Sequence, residues 1–471
     1  MEILTPDLCV IGGGSGGLSV AAGAVQMGAS VVLIEGHKMG GDCLNYGCVP
    51  SKALLAAGKA AHAMTIGAPL GVTPVVPEVD FAAAKDHVRS VIETIAPHDS
   101  VERFEGLGCT VIQAMASFVD VKTVEAGGKR IKARRFVIAT GSSPWTPPIP
   151  GLEDVGFHTN ETIFDVRERP NRLLIIGGGP IGLEMAQAHQ RLGCQVTVLE
   201  AAKALGNDDP ELSAVVLAAL RAEGVDIREG AEVSSAHKTD GGIALTLKSG
   251  GAVEGDLILA AVGRRANIDK LNLDAAGIET TKRGIKVDKG LRTSNRKVYA
   301  IGDVAGGLQF THVAGAQAGL VIRSALFRLP VSFKPNNVPW ATYTDPELAH
   351  VGLTEAQARA EHGERVEVLR FEFAGNDRAI AEAKTKGLIK VSTVKGKPVG
   401  ASIVGPGAGE QISLWALALS KGMKVSDLAG FIAPYPTLTE VSKRAAGSYF
   451  TPRLFESDRV KMIVRWLAKL G

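Results

Sequence analysis

A marked excess of charge of one sign is missing from this sequence: 52 lysines and arginines stand against 49 aspartates and glutamates, a formal +3. So slight an excess, with no run of Lys/Arg, argues against nucleic acid as a partner. Aromatic residues make up 5% of the chain and none interleaves with a basic patch, which removes the stacking platforms of single-strand binders as well. Long hydrophobic runs are also missing. No stretch reaches the roughly 20 apolar residues of a transmembrane helix, and Met1-Glu2-Ile3-Leu4-Thr5-Pro6 lacks the basic-then-apolar layout of a secretory leader. The expected compartment is the cytoplasm, with no membrane partner. Cysteine is scarce, five in 471 residues. In a reducing compartment a disulfide is more often catalytic than structural. Zinc sites use two close cysteine pairs or histidines at ligand spacing, and neither pattern is present, so no metal site is expected. Cys9, Cys109 and Cys194 lie in or beside apolar strand-like runs and read as small buried hydrophobes.

Length and glycine supply the positive signal. The chain is long enough for about three domains, and its 56 glycines are not scattered. Leu8 to Ile11 suits a buried parallel strand and runs straight into Gly12-Gly13-Gly14-Ser15-Gly16-Gly17, followed by an Ala-rich helix to Met27, Gly28, a strand from Val31 to Ile34, and Glu35. In such a unit Gly12, Gly14 and Gly17 let the backbone turn tightly and approach a pyrophosphate. The helix N-terminus receives the charge and the acid hydrogen-bonds a ribose hydroxyl. The unit recurs 165 residues later, with Gly12 matched by Gly177, Gly17 by Gly182, Gly28 by Gly193 and Glu35 by Glu200; Gly179 takes the place of Gly14. Two dinucleotide sites in one chain, with a pair of cysteines following the first, imply an electron relay between a retained flavin dinucleotide and an exchangeable nicotinamide dinucleotide. Glu200 would repel a 2′-phosphate, and Ala201, Ala202 and Lys203 offer a single cation after it. NAD(H) is therefore expected in preference to NADP(H).

Between Gly40 and Leu54 the sequence reads Gly-Gly-Asp-Cys-Leu-Asn-Tyr-Gly-Cys-Val-Pro-Ser-Lys-Ala-Leu and continues into an Ala/Leu-rich helical segment. Cys43 and Cys48 stand four residues apart. A cysteine at a helix N-terminus feels the field of the free N–H groups, which favours the thiolate. By spacing alone the pair stays open between two structural thiols and a redox couple.

The segment resembles the redox-active disulfide of the flavoprotein disulfide reductases, the family of dihydrolipoamide dehydrogenase, glutathione reductase and mercuric reductase. Pro50-Ser51-Lys52 is closer to the lipoamide and mercuric branches. The resemblance implies an α/β fold with two Rossmann-like dinucleotide-binding domains and a C-terminal α+β dimerisation domain. It divides the chain into an FAD domain (1–149), an NAD(H) domain inserted at 150–265, the rest of the FAD domain (266–334) and an interface domain (335–471). Ser143-Pro144-Trp145-Thr146-Pro147-Pro148-Ile149-Pro150 reads as a rigid linker, and Leu329 to Pro339 as a second break. Phe81 to about Arg103 reads as one helix and Val111 to Phe118 as one strand.

Site residues carried over by the resemblance are Gly41, Asp42, Lys52, Ala116, Thr140, Gly141, Ser142, Asp303 and His312 toward FAD, and Gly263 and Glu184 toward NAD(H). Cys48 faces the flavin, Cys43 meets the substrate, and Lys52 and Glu184 form an ion pair beside the flavin ring. Asp42 stands where the family commonly has threonine, and a carboxylate beside Cys43 is expected to oppose thiolate formation. The partner subunit's C-terminal domain completes each active site of a homodimer. Tyr435-Pro436 and Glu440 stand where lipoamide and glutathione enzymes carry a His-Pro and a glutamate. Histidine takes a proton near neutrality whereas tyrosine, near pKa 10, does not; mercuric reductases also carry tyrosine here. The sequence ends without the cysteine pair those enzymes use to hand over the metal, and lacks their N-terminal metal-binding module. The reading is therefore an FAD- and NAD(H)-dependent disulfide oxidoreductase like dihydrolipoamide dehydrogenase, acting on a small or protein-bound disulfide or dithiol. A mercuric reductase-like enzyme and a redox sensor or electron carrier without turnover are the alternatives.

Overall fold

A computed structural model describes residues 1–470. Its first sheet has five parallel strands in the order Val298–Ala300, Arg135–Ile138, Leu8–Ile11, Val31–Glu35, Thr110–Gln113. These strands are near-continuous apolar runs because both faces are covered. Leu8, Val10 and Leu33 pack against helices Ser15–Gln26 and Thr311–Phe327. Cys9, Ile11 and Ile34 point the other way, onto Phe118, Val124 and Ile131 of a four-stranded sheet. One strand of that smaller sheet is Glu2–Leu4, a stretch too short and too exposed to be read from the sequence.

A second parallel sheet runs Asp226–Glu229, Gln195–Glu200, Arg172–Ile176, Leu257–Ala260. Helices Pro180–Arg191 and Pro210–Ala222 cover one face and a three-stranded antiparallel sheet the other. The chain enters this unit through Ser142–Pro144 and leaves it through Arg264–Ala266, and these two segments pair antiparallel. The proline-rich linker is thus anchored at its start to the exit strand. The third body is a five-stranded antiparallel sheet built from Pro339–Thr342, Glu347–Gly352, Lys397–Gly405, Leu388–Val394 and Val366–Glu372. Helices Ala408–Lys421 and Glu440–Ser448 lie against it, and the buried indole N–H of Trp415 donates to Ser442 Oγ at 3.0 Å.

Two local expectations are corrected. The helix expected from Phe81 to about Arg103 stops at Ile95, passes through a 3₁₀ turn at Ala96–Asp99, and restarts as Val101–Gly106. Pro97 has no N–H to continue the ladder, and extended Ser100 caps the new helix by accepting from the Arg103 N–H. The strand expected from Val111 to Phe118 is two strands, Thr110–Gln113 and Ser117–Asp120, in different sheets. An apolar run does not reveal that the chain changes layer at Ala114 to Ala116.

Glycine is obligatory where each first helix crosses its sheet. A Cβ on Gly17 would lie 1.8 Å from the carbonyl oxygen of Gly12, and one on Gly182 would lie 2.0 Å from that of Gly177. Gly17→Ala is expected to lose about 1–3 kcal/mol of stability and to weaken flavin retention. Gly106→Ala, in open space at a helix end, should be neutral or slightly stabilising. Thermal unfolding of the two variants checks the contrast.

Candidate functional site

A cavity of about 2710 Å³ runs past the ends of both parallel sheets. Each glycine turn opens onto it in the same way. Gly12 and Gly177 share φ = +111°, where a Cβ would sit 2.3 Å from Ala139 O and 2.5 Å from Ala261 O respectively. Neither following helix has a side-chain cap, so the free backbone N–H groups of Ser15 and Ile181 face the cavity, Pro180 having none to offer. Glu35 accepts from Gly13 N at 2.5 Å and His37 N at 2.6 Å. Glu200 accepts from Gly178 N at 2.7 Å and Ala202 N at 2.8 Å. Each carboxylate is fixed at its strand end with lone pairs left for a ribose. Open donors, glycine cradles and anchored acids fit a dinucleotide at each turn.

Cys43 lies on the short helix Gly41–Asn45, and Cys48 is the first residue of helix Cys48–Ala63. Close approach is set by Gly41, whose Cβ would meet Gly14 Cα at 2.7 Å. That contact presses the cysteine segment against the first glycine turn. Both thiols are free in the structure, and both line the cavity. The hydrogen bond from Cys43 is the largest influence on Cys48. Together with the Thr311 hydroxyl and the Lys52 charge it outweighs burial and Asp42, and brings the Cys48 thiol down to about 6. Thr311 Oγ1 lies 3.5 Å from the sulfur. The same hydrogen bond, with burial, pushes the Cys43 thiol up. Lys52 Nζ pairs with Glu184 Oε2 at 2.8 Å, while Glu184 Oε1 accepts from Tyr343 N at 2.8 Å. The Lys52 ammonium also lies 4.5 Å over the Tyr343 ring.

Asp42 is not a bare charge beside the cysteines. Its Oδ1 pairs with Arg264 at 2.9 Å and accepts from Asn160 Nδ2 at 3.0 Å. The expected direction, a carboxylate opposing the thiolate, holds at Cys48, where Asp42 is the smallest of the influences acting. Arg264 is largely buried and reaches further, donating to Ser142 Oγ at 2.8 Å and Ser142 O at 2.7 Å. Ser142 Oγ in turn donates to Asp303 Oδ2 at 2.5 Å. Burial raises the Asp303 carboxyl, against the pull of Ser142 and Arg264. One guanidinium from the exit strand thereby joins the redox segment to two further stretches of cavity wall.

Gly12, Gly14, Glu35, Gly41, Asp42, Lys52, Ala116, Thr140, Gly141, Ser142, Asp303, His312, Gly177, Gly179, Glu184, Glu200 and Gly263 all line the one cavity. Gly17 and Gly182 sit behind it, in the helix–strand crossings. His312 donates Nε2–H to Pro339 O at 2.7 Å and stacks on Phe310. Tyr435 and Glu440 are the exception, because neither lines this cavity. Tyr435 is 71% exposed on the third body, where its hydroxyl donates to Asp377 Oδ2 at 2.9 Å. That bond and the Asp377 charge raise the phenol. Glu440 begins the helix Glu440–Ser448. Within a single chain the two do not meet Cys43. Arg264, Asn160, Thr311 and Tyr343 are functional-site residues that the sequence reading does not single out.

The family described as pyridine nucleotide-disulphide oxidoreductase matches residues 6–318, and its dimerisation domain matches 338–446. The chain belongs to this family, whose members bind FAD and NAD(H), and the third body is its dimerisation domain, in keeping with a homodimer. A mercuric reductase of Lysinibacillus sphaericus is 36% identical over 453 residues, covering 93% of this chain and 82% of that protein. A dihydrolipoyl dehydrogenase of Staphylococcus aureus is 34% identical over 93% of this chain and 96% of its own length. Among solved structures, the HOCl-induced flavoprotein disulfide reductase RclA from Escherichia coli, in its Cu(II) complex, superimposes with a TM-score of 0.85 at 27% identity, covering 94% of this chain and 99% of that one.

Alkylation of the reduced protein should follow Cys48, slow below pH about 6 and faster above it as the thiolate forms. Arg264→Met leaves Asp42 uncompensated and should move that midpoint up; Asp42→Asn should move it down. The double variant should return toward the parent. A pH profile of iodoacetamide labelling reads all three.

Proposed function

We propose that the protein is an NADH-dependent reductase that passes two electrons through the Cys43–Cys48 pair to a thiol-reactive acceptor, either a small disulfide or a soft metal ion. The supporting observation is a contrast in acidity. Cys48 is a ready thiolate through its own neighbours, while Tyr435 is held as a phenol by Asp377. Hydrogen-bonded to Cys43, the Cys48 thiolate can take the proton as Cys43 attacks such an acceptor, so no added base is needed. A dithiol substrate entering from outside needs one, and Tyr435 does not supply it.

The chain's own groups divide the work. The turn at Gly177, Gly179 and Gly182 with Glu200 takes the nicotinamide dinucleotide, and the turn at Gly12, Gly14 and Gly17 with Glu35 takes FAD. FAD, when bound, supplies two-electron chemistry between the nicotinamide and the disulfide. Lys52, fixed by Glu184, places a cation beside the Cys48 sulfur and favours negative charge there. Thr311 gives that sulfur a hydrogen-bond partner. Cys43, carrying the higher-pKa thiol, is the better nucleophile once deprotonated, as thiol–disulfide exchange requires. With a disulfide acceptor, NADH and one proton are consumed, two acceptor thiols form, and the Cys43–Cys48 bond opens and closes once per turnover. Tyr435, brought to the site by the partner subunit's dimerisation domain, donates a hydrogen bond to the acceptor by turning its hydroxyl away from Asp377.

The second reading is oxidation of dihydrolipoamide by NAD. Pro50-Ser51-Lys52 and the near full-length match to a dihydrolipoyl dehydrogenase favour it. Steady-state rates separate the two. NADH oxidation with Hg(II) or a low-molecular-weight disulfide should exceed NAD reduction by dihydrolipoamide, and Tyr435→His should raise the latter. The opposite order would select the lipoamide reading, and a single turnover with every acceptor would select a redox sensor. NADH should be favoured over NADPH in kcat/KM by about tenfold or more, because an anchored carboxylate meets the 2′-phosphate; Glu200→Ala should narrow the ratio.

A further inference from the structure

The helix Asp458–Leu467 has no buried residue. Val460, Ile463, Val464 and Leu467 fall at i, i+3, i+4 and i+7 and form one apolar stripe. Ile463, Val464, Trp466 and Leu467 are each more than half exposed, and Phe455 in the preceding turn is 72% exposed. On the opposite side Lys461, Arg465 and Lys469 stand at i, i+4 and i+8. With Arg459 they put four cations against the single carboxylate of Asp458, and none of the four forms an ion pair among the described residues.

We infer that this helix is an interfacial anchor that docks the protein on a membrane surface rich in anionic lipid headgroups. Charge and shape together select that occupant. A short helix with an apolar stripe, a cationic opposite face and a tryptophan at the boundary lies in the plane of the interface, apolar side down and cations among the headgroups. Ten residues rise about 15 Å, half of a hydrocarbon core, and no described helix is long and apolar enough to cross a membrane. The contact is therefore peripheral. A second copy of the chain is the rival occupant, but the match to the dimerisation domain stops at residue 446, before this helix begins. The expectation of no membrane partner rested on the length of apolar runs, a test that spacing of three and four residues does not trigger. The inference is independent of which acceptor the redox site reduces.

The flavin-loaded full chain should co-sediment with vesicles of phosphatidylcholine containing phosphatidylglycerol. It should bind weakly to phosphatidylcholine alone, and release from the anionic vesicles as salt is raised. Flavin absorbance in the pellet reads binding without any assay of activity. Arg465→Glu/Lys469→Glu should lower the bound fraction by about tenfold or more, and Ile463→Asp/Leu467→Asp should abolish binding, both with unchanged flavin content and thermal unfolding. Equal binding to both vesicles, or none to either, overturns the proposal. Conversion of a dimer to a monomer by Ile463→Asp/Leu467→Asp would overturn it too, assigning the stripe to a second copy.

Discussion

A hydrogen bond between the sulfurs of Cys43 and Cys48 sets their acidities apart, and the surrounding structure is arranged around that difference. A single proton shared unequally leaves Cys48 as the sulfur that carries charge and Cys43 as the one that keeps its hydrogen. Cys48 then needs what an anion needs: a helix N-terminus, a hydroxyl and a cation. The start of Cys48–Ala63, Thr311 and Lys52 provide these from three places in the chain. Gly41 against Gly14 keeps the pair beside the first glycine turn, so that the sulfurs and a dinucleotide site share one cavity.

Duplication supplies the other half of the relay. Two copies of one strand–turn–helix–strand unit anchor their acids with matching backbone hydrogen bonds, Glu35 on Gly13 and Glu200 on Gly178. Their glycine turns are superposable in backbone angle. The second copy is inserted into the first, and Ser142–Pro144 against Arg264–Ala266 closes the two crossing points into a short ribbon. Arg264 rises from that ribbon to Asp42. A carboxylate that would be costly beside a working thiolate is thus tolerated, because the insertion brings its counter-ion with it.

The two nucleotide units were legible in the sequence because their determinants are local: a turn that only glycine can make, an apolar strand before it and an acid at the end of the next strand. The Lys52–Glu184 pair was found through resemblance, and the structure brings the two side chains together. Arg264 and Asp42 could not be paired in this way, since their contact depends on how an inserted domain returns to its host. The run from Val111 to Phe118 misled because hydrophobicity does not record a change of sheet. Tyr435 shows a different limit. Its motif was clear, but the place that the resemblance gives it lies in an assembly of two chains, and in one chain the side chain stands exposed beside Asp377. Helix Asp458–Leu467 has a pattern that run-length reading passes over, and its exposure became evident only with the fold.

The most direct measurement of the central claim is an anaerobic titration of the flavin-loaded protein with NADH, followed by visible absorption. If Cys48 is the thiolate against the flavin, a long-wavelength charge-transfer band develops at two-electron reduction. That band persists in Cys43→Ser and is absent from Cys48→Ser. A band retained in Cys48→Ser, or a protein that bleaches with NADH and forms no band at all, would contradict the account.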